Sequence, residues 1–107
     1  MSTGNWSSDK DTGLDYGEKF KPVGEIFVVK KDGSKEAFNV QKVINAVAKS
    51  AYRALTKFTP EENEKICRYV ISRVDEMNTT EIPIPVMHNI VESALEEVKP
   101  IVAKSYR

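Results

Sequence analysis

Phe27-Val28-Val29-Lys30-Lys31-Asp32-Gly33-Ser34-Lys35-Glu36-Ala37-Phe38-Asn39-Val40-Gln41-Lys42-Val43 decides how this chain is read, because it sets a short hairpin, four lysines and a helix start side by side. Side chains along a strand alternate between its faces, so one of Lys30 and Lys31 shares a face with apolar neighbours while the other points away. Asp32-Gly33 turns the chain, since glycine accepts the positive φ that a tight hairpin requires. The return strand delivers Glu36 and Phe38, and Asn39 stands where it caps a following helix. The unpaired amides at a helix start favour negative charge, so lysines beside that end make a candidate phosphate site.

Before the hairpin, residues 1–21 are rich in Ser, Gly, Asp and Lys, with Trp6, Leu14, Tyr16 and Phe20 scattered without helical or strand period. They read as a flexible leader, with residues 22–107 as the folded domain. Trp6 and Tyr16 are the leader's candidates for stacking on a nucleobase. After the hairpin, Val40, Val43, Ile44, Val47, Ala51 and Leu55 recur at the spacing of one helical face. Thr59-Pro60-Glu61-Glu62 starts a second helix, with Thr59 as cap, Pro60 in the first turn and Glu62 reaching back, and its Ile66, Tyr69, Val70 and Val74 face inward. Glu81-Ile82-Pro83-Ile84 is extended, because a residue before proline is pushed away from helical angles, and it offers a third strand. Pro85 opens a third helix with Met87, Ile90, Val91, Ala94, Leu95 and Val98 as its stripe, and Pro100 breaks the pattern before Ile101 resumes it. The expected fold class is therefore α+β: a small bundle of about four helices capped by a two- or three-stranded β-sheet.

Composition narrows the function classes. Sixteen basic residues balance sixteen acidic ones, so there is no overall bias toward nucleic acid or an anionic membrane, and any positive site is local. No run approaches the roughly 20 apolar residues of a membrane span, and no apolar signal core opens the chain, which makes a cytoplasmic protein the expectation. Cys67 is the only cysteine, which excludes an internal disulfide and a cysteine zinc site and suits a small buried packing residue. No Gly-x-x-x-x-Gly-Lys loop or acidic cluster for catalytic magnesium is present, so phosphoryl transfer is not indicated.

The series Val28-Val29-Lys30-Lys31-Asp32-Gly33, then Glu36, Asn39 and Lys42, resembles the ATP-cone, a nucleotide-sensing domain of ribonucleotide reductases and of a bacterial repressor of their genes. Met87-His88-Asn89-Ile90-Val91-Glu92 and the closing Val102-Ala103-Lys104-Ser105-Tyr106-Arg107 extend the likeness over residues 24–107. One position departs from the family pattern: Lys31 stands where arginine is commoner, and a point charge replaces a planar fork. The resemblance implies a nucleotide site formed by Val28, Lys30, Lys31, Glu36, Asn39, Lys42, Val43 and His88, with ATP or dATP as allosteric ligand and Mg2+ accompanying the triphosphate. Lys30, Lys31 and Lys42 would contact phosphates, Glu36 the sugar or a lysine, Val28 and Val43 the adenine, and His88 the base or phosphates. A threonine of some members is Ile84 here, which removes a polar contact.

Each residue also has a plainer explanation: the lysines as solubilising side chains, Glu36 as a surface acid, Val28, Val43 and Met87 as core, His88 as a surface histidine. The resemblance further implies an allosteric domain of a ribonucleotide reductase that controls activity through subunit assembly and does no chemistry itself, with the reductase body and its subunits as partners. The end at Arg107, with a helix just begun, is expected of a domain cut from a longer reductase. The alternative is a stand-alone or degenerate cone acting in protein interaction or transcription regulation. Zero net charge and the lack of a cysteine-rich zinc ribbon weigh against nucleic acid as a partner.

Overall fold

Asn39 does begin a helix. The structure, a computed structural model, describes residues 16–106. In chain order they form α1 (Tyr16–Lys19), β1 (Phe27–Val29), β2 (Lys35–Ala37), α2 (Val40–Arg53), α3 (Pro60–Glu76), β3 (Glu81–Pro83), α4 (Ile84–Val98) and α5 (Pro100–Tyr106). This is the expected α+β class, with five helices and a three-stranded sheet among the described residues.

The sheet order is β2-β1-β3, with β1 antiparallel to β2 and parallel to β3. Val28 sits opposite Glu36 on one side and Ile82 on the other, and directly opposed residues share a face of the sheet. That face looks onto the helices, where Ile82 is wholly buried. On the reverse face Lys35 pairs with Glu81 across β1 at 2.5 Å. The hairpin closes with Lys30 N donating to Ser34 O at 2.8 Å and Gly33 N to Lys30 O at 2.9 Å. Gly33 takes φ +90°, and Asp32 Oδ1 accepts from the Ser34 amide (2.9 Å) and hydroxyl (2.7 Å). Those hydrogen bonds hold the Asp32 carboxyl below its ordinary pKa range. β1 ends at Val29, so Lys30 and Lys31 belong to the turn rather than to the strand.

Thr59 and Glu62 form the expected reciprocal cap of α3, at 2.9 Å and 3.1 Å. Glu62 also meets Lys99 at 3.1 Å, and the Thr59 amide together with that ammonium draws its carboxyl below the usual range. The core joins Val40, Val43, Ile44 and Val47 of α2, Ile66, Cys67, Val70 and Val74 of α3, and Met87, Ile90, Val91, Ala94 and Leu95 of α4. Burial pushes the Cys67 thiol up to about 12, in keeping with a packing role. Among the described residues no helix is long and apolar enough to cross a membrane.

Two expectations need correction. The apolar spacing places Leu55 on the face of α2, but the helix stops at Arg53, and Leu55 turns out into solvent at φ 60°, 95% exposed. The second concerns the leader. Residues 1–15, Trp6 and Leu14 included, lie outside the described residues, but Tyr16–Lys19 is helical and Tyr16 is only 4% exposed. Its amide donates to Gln41 Oε1 at 2.9 Å and its hydroxyl accepts from Asn63 Nδ2 at 3.3 Å, so Tyr16 is built into the domain and has no face free for a base.

Gly17 makes this docking possible. A Cβ there would stand 2.2 Å from Asn39 Oδ1, the same oxygen that accepts from the Gln41 amide at 2.8 Å and caps α2. Gly17→Ala must either displace the cap, worth about 1 kcal/mol, or lift α1 off the bundle. The expected outcome is a destabilisation of about 1–2 kcal/mol in urea unfolding, with faster hydrogen exchange of the Gln41 amide. Unchanged exchange at Gln41 would mean that α1 and the cap are not coupled.

Candidate functional site

Between the sheet and the bundle lies a cleft of about 160 Å³. Its roof is Val28 of β1, Glu36 and Ala37 of β2, and Phe38. One wall is α2, which presents Lys42, Val43 and Ala46 below its cap Asn39, and the other is α4, which presents Ile84, Met87, His88 and Val91. Both sets follow the spacing of a single helical face. Tyr106 of α5 closes the end, its ring edge-on to His88 at 6.0 Å and 84°. Burial, with Glu92 nearby, raises the Tyr106 phenol above its ordinary range, so it stays protonated and able to donate a hydrogen bond.

Six of the eight expected site residues line this cleft: Val28, Glu36, Asn39, Lys42, Val43 and His88. Lys30 reaches its mouth through Glu36, whose Oε1 it meets at 3.4 Å, while Glu36 Oε2 takes the Lys42 ammonium. Lys31, exposed in the turn, lies outside the lining. Ile84 and Met87, expected as a lost polar contact and as core, are both in the wall, and Met87 is buried as well. Tyr106 and Phe38 were not anticipated as site residues. Tyr106 belongs to the closing segment that carries the resemblance, but no periodicity in the sequence brings it to the start of α2.

The cleft is small beside the roughly 300–1,000 Å³ of most ligand pockets. It suits a flat ring held between apolar walls, with any charged tail left at the lysines. Past Lys42 it continues into a groove of about 360 Å³, where Lys49 and Arg53 line up with Lys42 along α2, next to Tyr106. Among the described residues no group of three or more His, Cys, Asp or Glu is placed to hold a metal.

A family model described as the ATP cone domain matches residues 26–107. Curated relatives include the transcriptional repressor NrdR of Thermosipho melanesiensis, 41% identical over 59 residues, which are 55% of this chain and 38% of the relative. The transcriptional repressor NrdR of Fervidobacterium nodosum is 28% identical over 78 residues, 73% of this chain and 50% of the relative. That of Limosilactobacillus fermentum is 35% identical over 79 residues, 71% of this chain and 47% of the relative. The chain spans about half the length, or less, of these relatives.

These names overturn the expectation of a reductase regulatory domain with reductase subunits as partners. The motif that suggested it, Val28 to Lys42, supplies the roof and part of one wall of the cleft and carries nothing about the protein the cleft serves. They also overturn the exclusion of nucleic acid. That exclusion rested on the lack of a zinc ribbon and on zero net charge, and the net charge is an average that hides the alignment of Lys42, Lys49 and Arg53 on one groove.

Proposed function

The chain belongs to the ATP-cone family, and from that premise we propose that it is a nucleotide-responsive module in transcription regulation, with no catalysis of its own. The observation that carries the reading is a cleft with apolar walls and, at its mouth, two lysines from different elements, Lys30 and Lys42. The adenine of ATP or dATP enters between Val28, Val43 and Met87, and its phosphates reach the lysines. Lys42 carries the strongest phosphate contact, Asn39 holds the helix end behind it, and His88 and Tyr106 offer polar atoms to the base or sugar. Lys31 contributes only long-range charge. Magnesium travels with the triphosphate, held by phosphate oxygens and water. A cytoplasmic setting belongs to this reading as well.

Nucleotide binding here acts by differential affinity: a coupling of about 1–3 kcal/mol between the cleft and a partner surface makes a useful switch. Nucleic acid is the proposed partner of the assembled regulator, as the names of the relatives suggest. The test is calorimetric titration with ATP and with dATP in magnesium, followed by gel shift on duplex DNA with and without each nucleotide. The reading expects both nucleotides to bind competitively and DNA retention to differ between them. A folded sample that gives no heat with either would remove it.

A further inference from the structure

Among the described residues Glu36 is the sole acid lining the cleft, and it occupies the place where an anionic ligand must arrive. One carboxylate oxygen meets Lys30 at 3.4 Å and the other takes Lys42. The two lysines come from different elements, the turn after β1 and the first turn of α2, so the carboxylate ties hairpin to helix. The strand register fixes its position, since Glu36 is paired with Val28 and must share that residue's cleft-facing side. All three side chains remain partly open to solvent. Two cations drawn together without a counter-charge would repel each other, and an acid left beside bound phosphates would repel those in turn.

We infer that Glu36 is an internal stand-in for the ligand's phosphate. When no anion is bound, it holds Lys30 and Lys42 together. A polyphosphate takes over both lysines and expels the carboxylate, so Glu36 sets the threshold an anion must exceed to bind. A weakly charged anion does not offer enough to replace two simultaneous ion pairs, whereas a triphosphate does. This rests on the nucleotide reading of the cleft and adds a role that the rival view of Glu36, as a contact for the sugar hydroxyls, does not contain.

The two roles give opposite signs. E36Q keeps shape and hydrogen-bonding capacity but removes the charge. Calorimetry of the full chain is expected to show E36Q binding ATP roughly 3- to 10-fold tighter than the parent, the scale of two partly exposed ion pairs. Adenosine, which has no phosphate, should bind both forms alike. Equal or weaker ATP binding by a folded E36Q overturns the inference, and a parallel loss of adenosine affinity would assign Glu36 to the sugar instead. If the parent itself binds neither ATP nor adenosine, the nucleotide reading falls and this inference falls with it. Thermal unfolding of both proteins without ligand separates these results from misfolding.

Discussion

Lys42→Ala is expected to weaken ATP binding by roughly 10- to 100-fold, because a hydrogen bond to a charged group is worth about 1.5–3 kcal/mol and each 1.4 kcal/mol is tenfold. Lys42 earns this prominence by position: it lines both the apolar cleft and the groove that continues past it, and it projects from the first turn of α2 beside the cap Asn39. The substitution should not harm the fold, since the side chain is exposed and alanine is the better helix former. Its cost should therefore appear in the titration and not in the melting temperature of the free protein. Lys31→Ala is the matched control, because Lys31 lies in the turn outside the lining. Its affinity should stay within about twofold, the scale of a screened surface charge. Equal losses at Lys31 and Lys42 would mean that the lysines act only as a diffuse field, and no loss at Lys42 would move the phosphates away from the start of α2.

Much of this site was legible in the sequence because its signals are local. A cap, a glycine turn and a helical stripe are each set within a few residues, and Val28, Glu36, Asn39, Lys42 and Val43 come from one continuous stretch. Lys30 and Lys31 do not lie on the strand as alternation suggests, because period two was carried past Val29, where the strand has already given way to the turn. Tyr106 was missed for the opposite reason: it reaches the cleft only after α5 folds back along α2, a long-range result that no window of sequence contains. Tyr16 and Leu55 erred in opposite directions. Tyr16 lacked any periodic neighbours and is nonetheless buried, through Gln41 and Asn63, whereas Leu55 matched the stripe and is exposed because the helix ended two residues too soon. The functional misassignment has a different origin, since a ligand cleft constrains the residues that line it and leaves the surface that acts on a partner unspecified.

Ile82→Ala should destabilise the domain by about 2–5 kcal/mol, the range for truncating a buried isoleucine, out of the roughly 5–15 kcal/mol that a small domain possesses. Among the described residues Ile82 is the only wholly buried side chain of the sheet, the middle residue of β3, and the partner of Val28 in register. Three strands of three residues each do not hold together in water by themselves, so the sheet depends on this anchor to stay on the bundle. A shift of that size lowers the melting temperature by roughly 10 °C or more in a domain of this length. The urea midpoint should fall with an unchanged slope, which marks lost stability rather than a changed denatured state. Ile101→Ala provides the contrast: at 59% exposure it should cost no more than about 0.5 kcal/mol. The effect of Ile82 should also reach the ligand. Val28 forms the cleft roof and α4 starts at Ile84 directly after β3, so a loosened β3 frees the roof and one wall at once. ATP should therefore bind the variant more weakly even where it is fully folded. A large fall in stability with ATP affinity intact would show that the roof is held from the β2 side alone, through the antiparallel ladder that pairs Val28 with Glu36.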